Sequence, residues 1–231
     1  MKDPVATHPL FPFCILLCIY ISACVLCVLQ GIKLIDLYGY ILPGGYFAAS
    51  LTYLCTDIVS EVYGHRYAKK FVFCGLTSLA IIPLIIGFDI MLPASADWAF
   101  EQSYQDVFGL GVRLSIAGFL CFLVAQNLDV ILFSFFKKVT KGKHLWFRNN
   151  ASTAISKILD CVIYNFVGFW SVYDFGTLVG FTVVAYVFYL GLAVLDTPIV
   201  YFGVYIVRKL YPELRQPIDY NKEGKANILR T

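Results

Sequence analysis

The 231-residue sequence predicts an all-α, polytopic membrane protein with six transmembrane helices and cytoplasmic N- and C-termini. Three observations predict it. First, 59% of the residues are apolar and only 14% are charged, and mean hydropathy is +0.74. An ordinary soluble domain carries about 25% charged residues. So few charges do not cover the exterior of a water-soluble globule, and such apolarity excludes disorder. Second, six apolar stretches approach the length of about 20 helical residues that crosses a bilayer. Third, the basic residues are segregated along the chain in the way that sets membrane orientation.

The six stretches lie at about 10–30, 41–63, 71–92, 109–136, 150–172 and 177–207. They form a single transmembrane domain over 1–210, followed by a polar cytoplasmic tail at 211–231. The first is free of acids, Lys and Arg between Asp3 and Lys33. Ile21 to Cys24 loosely resembles a lipoprotein cleavage box, but the apolar run continues to Leu29, so the segment reads as a retained span. Pro43-Gly44-Gly45 at the start of the second suggests a broken or re-entrant beginning. The third runs from Phe71 to Leu92, interrupted by Asp89 alone. The sixth carries Asp196 as its one such charge between Phe175 and Arg208. It is long enough for one tilted helix or for two pieces meeting near Gly191 or Pro198.

With both termini inside, 15 of the 18 basic residues fall on the cytoplasmic side, Arg148 among them. Lys33 and Arg113 fall outside, and Lys157 lies within the fifth span. An odd number of spans would split the basic clusters between the two sides. The net charge of +3 and the scattering of basic residues between apolar runs exclude a nucleic-acid surface. The eight cysteines all lie in or beside spans. Cys24 and Cys27 have C-x-x-C spacing, but no cysteine has a His within four positions. They read as small apolar residues, with no disulfide, metal or cofactor expected.

The polar residues inside the spans are the informative ones, because each charge at a helix centre costs about 2.5–3.5 kcal/mol on translocon scales. In the second span Tyr53, Asp57, Ser60 and Gly64 share one helical face. In the fourth, Phe119, Phe122, Gln126, Asp129 and Phe133 occupy an arc of about 80°. In the fifth, Asn150, Thr153, Lys157, Asp160 and Tyr164 share a face, flanked by Asn149 and Ser156. Lys157 and Asp160, three apart, are spaced to pair. Glu61 reads as a helix-end residue reaching the headgroups, and no Arg is expected in mid-membrane. Interhelical hydrogen bonds average only about 0.6 kcal/mol, so three polar faces exceed what helix adhesion requires. They point to a buried pocket for a flat, hydrogen-bonding, heteroaromatic solute within the lipid bilayer.

At these residues the sequence resembles the queuosine precursor transporter family. The resemblance rests on Thr56-Asp57 with Gly64 seven residues after the acid, on Gln126-Asn127-Leu128-Asp129-Val130 with Phe133, and on Ser152-Thr153 with Asp160. It covers about residues 40–205. It implies import of a 7-deazaguanine base, such as the 7-cyano or 7-aminomethyl compound, or of queuine, across a bacterial cytoplasmic (inner) membrane for tRNA modification. It also implies substrate binding by Asp57, Gln126, Asp129, Ser152, Thr153 and Asp160. Lys157 departs from the family pattern. The candidate binding set is completed by Tyr53, Asn150, Lys157, Phe122, Phe133 and Tyr164.

Other readings remain at this point. One is a transporter of another heteroaromatic vitamin or nucleobase. Another is a membrane-embedded enzyme using two buried aspartates, for which His8, His65 and His144 stand too far towards span ends to serve a Ser–His dyad. A third is an assembly subunit. Monomer and homodimer are both open.

Overall fold

A computed structural model describes residues 10–37, 39–95 and 97–215, so most of the expected polar tail lies outside the described residues. Helix α1 (Phe11–Gly31) leads into a hairpin of strands β1 (Leu34–Leu37) and β2 (Tyr40–Pro43). Helices α2 (Gly45–Val62), α3 (His65–Ile90) and α4 (Glu101–Cys121) follow, then a π-helical turn (Phe122–Gln126). The chain continues as α5 (Asn127–Val139), α6 (Leu145–Phe169), α7 (Phe175–Leu210) and a 3-10 turn (Pro212–Arg215). The segment from α4 through α5 is one rod, so six helical rods correspond to the six apolar stretches.

Four rods are long and apolar enough to cross a membrane: α1, α3, α4–α5 and α7. The other two, α2 and α6, carry most of the buried polar residues. Their position explains how lipid tolerates them. On α2, 14 of 18 residues are buried, so its polar groups face protein. On α6 a buried stripe runs from Arg148 to Asn165 through Ser152, Ser156, Lys157 and Asp160. The outer rods present the reverse pattern. Leu84, Ile85 and Phe88 of α3 and Val194, Leu195 and Phe202 of α7 are exposed. A surface of that kind is stable in hydrocarbon, and the protein is a multi-pass membrane protein.

The structure is 83% helical, as the all-α expectation has it, and the short hairpin is an addition to that architecture. Its antiparallel register pairs Ile35 with Leu42 and Asp36 with Ile41, and the Gly39 N–H closes the turn by donating to Asp36 Oδ1 at 2.7 Å. Pro43 ends an edge strand, where a missing N–H costs nothing. Helix α2 then starts at once, with the Gly44 N–H on the Lys33 carbonyl at 2.8 Å, so the Pro-Gly-Gly segment is a strand-to-helix corner, not a re-entrant loop. A side chain on Gly45 would collide with the Cys27 carbonyl, which keeps α1 and α2 in close contact.

Helix α7 is one rod of 36 residues, about 54 Å long, not two pieces. Pro198 lies within it, and the neighbouring Thr197 hydroxyl bonds back to the Ala193 carbonyl at 2.9 Å. The π turn between α4 and α5 was also unforeseen. The Asn127 amide covers the loosened backbone there, donating to the carbonyls of Phe122 at 3.2 Å and Leu123 at 3.1 Å.

The rings of Phe13, Tyr63, Tyr67 and Phe71 cluster where α1 begins, α2 ends and α3 begins, and Val207 and Tyr211 join the same core. Helix α6 begins at Leu145, ahead of the predicted span, and Arg148, at the basic end where it was expected, is drawn into the bundle with no exposed surface. One expectation fails here: Glu61 does not reach outward. It is 6% exposed and accepts Lys137 at 2.7 Å, Arg148 at 2.8 Å and Arg208 at 3.1 Å. The three cations offset the cost of burying the carboxylate, and the carboxylate offsets the burial of Arg148.

Candidate binding site

Helices α2, α5, α6 and α7 and the π turn bring the polar faces together. From α2, Thr56 donates its hydroxyl to the Tyr53 carbonyl at 2.8 Å and accepts the Gln126 amide at 3.0 Å. The other half of that amide, Gln126 Oε1, is buried with no partner. On α5, Asp129 is fully buried. Its Oδ1 accepts Ser156 at 3.0 Å, while its Oδ2 has no partner. Asp57 Oδ1, Asn149 Oδ1, Tyr53 OH and Ser60 Oγ are likewise buried and unpartnered. Buried polar groups are almost always satisfied, and each one left bare costs about 1–3 kcal/mol. These bare acceptors, on three helices and the π turn, are groups that water or a hydrogen-bonding solute would satisfy.

The Lys157–Asp160 pair forms at 2.8 Å, and both residues are buried. The lysine does more than neutralise its neighbour. Its ammonium lies 3.4 Å from the ring centroid of Tyr53 and 3.6 Å from that of Tyr189. Two narrow clefts abut this arrangement. The cleft towards the hairpin is lined by Cys27, Gly45, Tyr46, Phe122, Asp160, Tyr164 and Tyr189. The other is lined by Ser50, Tyr53, Asp57, Asn149, Thr153, Lys157, Tyr189 and Asp196. Tyr189 belongs to both, so the ion pair and its rings stand between them.

The predicted residues divide accordingly. Tyr53, Asp57, Thr153 and Lys157 line one cleft, and Phe122, Asp160 and Tyr164 line the other. Gln126 and Asp129 are fully buried and line neither cleft; they meet Thr56 and Ser156 instead. Ser152 is wholly buried and directs its hydroxyl to the Asn149 carbonyl at 3.3 Å. Asn150 points to α7, where its amide meets Thr197 Oγ1 at 2.8 Å, and its neighbour Asn149 reaches the cleft instead. Phe133 lines neither cleft; its ring lies 5.4 Å from the Arg148 guanidinium. Sequence reasoning did not single out Tyr189. Its spacing of seven from Asp196 places both on one face of α7, and that was the available signal.

Residues 43–203 match a family model described as "Putative vitamin uptake transporter". The chain is 27% identical over 175 residues to the "Probable queuosine precursor transporter" of Bacillus subtilis (strain 168), covering 75% of this chain and 76% of that protein. Over 136 residues it is 21% identical to the "Queuosine precursor transporter" of Escherichia coli (strain K12), covering 59% of each. A "Probable queuosine precursor transporter" of Haemophilus influenzae is 25% identical over 123 residues, 53% of this chain and 49% of that protein. No solved structure gives a significant match.

Proposed function

The chain belongs to the vitamin uptake transporter family, its curated relatives are named queuosine precursor transporters, two of them as "probable", and from that premise we propose that it imports a 7-deazaguanine-type base or queuine. Its role is transport, not enzymatic catalysis. The membrane is the bacterial cytoplasmic membrane, crossed six times. The end bearing Arg66, Lys69, Lys70, Lys137, Lys138, Arg208 and Lys209 faces the cytoplasm, as the positive-inside rule requires.

The observation that carries the reading is the set of bare acceptors, Asp57 Oδ1, Asp129 Oδ2, Gln126 Oε1 and Asn149 Oδ1. A guanine-like edge offers adjacent N–H donors beside a carbonyl. The carboxylates take the donors, which are then charge-assisted bonds. Gln126 turns its nitrogen to Thr56 and so presents its bare oxygen as an acceptor, and the solute carbonyl is met by the free hydroxyl of Tyr53 or Ser60. The clefts on either side of Lys157 and Tyr189 are the two halves of a pathway closed at mid-depth. Rocking of the helices would open one half at a time. All these groups come from one chain, so binding does not need a homodimer.

The test is uptake of labelled 7-cyano-7-deazaguanine by proteoliposomes. Saturable uptake that is lost in Asp57→Ala and Asp129→Ala, with both variants still folded by thermal melting, is the expected result. Uptake indifferent to both substitutions would overturn the assignment. The family description makes another heteroaromatic vitamin the second reading, and preferential uptake of thiamine over the deazaguanine would favour it.

A further inference from the structure

We propose that Lys157 occupies, from within the chain, a cation cage that would otherwise receive a positively charged arm of the solute, and that it thereby restricts the site to uncharged planar bases. The inference rests on the substrate reading above and narrows it.

Two aromatic faces and a carboxylate are the chemistry by which proteins recognise a free ammonium group. Tyr53, Tyr189 and Asp160 supply that set, from α2, α7 and α6, at 3.4 Å, 3.6 Å and 2.8 Å from the Lys157 nitrogen. The lysine is 1% exposed, so its ammonium is held by the cage and not by water. The cage is also adjacent to the binding space. Tyr53, Lys157 and Tyr189 line the same cleft as Asp57 and Asn149, whose bare oxygens await donors.

A solute lying on those oxygens therefore meets a wall that already carries its own cation. An ammonium on the solute would find the rings covered, Asp160 neutralised and a like charge in a low-dielectric site. A neutral substituent meets no such opposition. Lys157 is in this sense a specificity residue: it touches the solute's substituent, and its charge decides which substituents fit.

The experiment measures dissociation constants of the purified, detergent-solubilised protein for two probes at pH 7. They are 7-cyano-7-deazaguanine, which is uncharged, and 7-aminomethyl-7-deazaguanine, whose amine is protonated. Wild-type protein should bind the uncharged base at least tenfold more tightly. Lys157→Ala, which empties the cage, should shift that ratio at least tenfold towards the amine. Lys157→Ala combined with Asp160→Asn, which also removes the cage anion, should lose most of the shift. Equal binding of the two bases by wild-type protein overturns the inference whether or not the variants fold, and leaves the transport reading standing. A wild-type ratio preserved in Lys157→Ala overturns it too. If wild-type protein binds neither base, the substrate reading fails and this inference falls with it.

Discussion

Arg148 and Glu61 are 87 residues apart in the chain and 2.8 Å apart in the structure, and the guanidinium is sealed from solvent. The same carboxylate also holds Lys137 and Arg208, so one acid on α2 ties together α5, α6 and α7. Helix ends in a bilayer are usually solvated by headgroups, but here they are solvated by each other.

Removing that acid should therefore be severe. Glu61→Ala leaves a buried guanidinium without its counter-ion, which costs about 3–5 kcal/mol. Arg208→Gln removes the cation whose side chain is 30% exposed and should cost about 1 kcal/mol or less. Thermal melts in detergent compare the two, and equal small losses would refute the hub.

Asp57 and Asp129 should behave in the opposite manner. Each has a buried oxygen with no protein partner, so its substitution removes little that holds the fold. Each charged hydrogen bond to a solute is worth about 1.5–3 kcal/mol, or roughly tenfold to a hundredfold in affinity. Asp129→Ala should therefore weaken binding by that factor with a small change in melting temperature. A large fall in melting temperature with unchanged affinity would make Asp129 a structural residue.

Gly64 joins α2 to α3 with φ of +88° and ψ of 170°, a region that side chains avoid, although a Cβ there would meet nothing within 4 Å. Gly64→Ala should cost about 1–3 kcal/mol through backbone strain alone. Gly180 in α7 has equal space and ordinary helical geometry. Gly180→Ala should stabilise by roughly 0.5–1 kcal/mol. Opposite signs in paired melts are the expected outcome, and a shared sign would refute the strain argument.

Asp174 caps α7, accepting the Thr177 hydroxyl at 2.6 Å and its backbone N–H at 3.0 Å. These bonds hold its carboxyl below the usual carboxylate range. A depressed pKa contributes stability above the unfolded value and loses it as pH falls through the folded value. The melting difference between wild-type protein and Asp174→Ala should be present at pH 7 and vanish as pH falls below about 4. A difference that grows on acidification would contradict the cap.

The helical rods were legible because hydrocarbon imposes a length and a composition on what crosses it, a standard that α1, α3, α4–α5 and α7 meet. The stripe of Phe122, Gln126, Asp129 and Phe133 was legible for a related reason, since a costly polar residue in such a setting has to face inward. The hairpin was not, because Leu34–Leu37 and Tyr40–Pro43 are too short for alternation to stand out. The Glu61 hub was hidden because its partners lie 76, 87 and 147 residues away. Tyr189 was hidden because a tyrosine in an apolar span carries no charge to advertise it. Both became visible when non-local packing supplied the partners.

The wide turn before Asn127 has a consequence for any attempt to move this site elsewhere. At that depth a freed peptide oxygen finds no water, so the amide of Asn127 takes the place of solvent for Phe122 and Leu123. A graft of Gln126 and Asp129 onto another scaffold would have to bring along this third residue. Without it the transplanted segment would relax into ordinary helix and swing Gln126 and Asp129 out of phase.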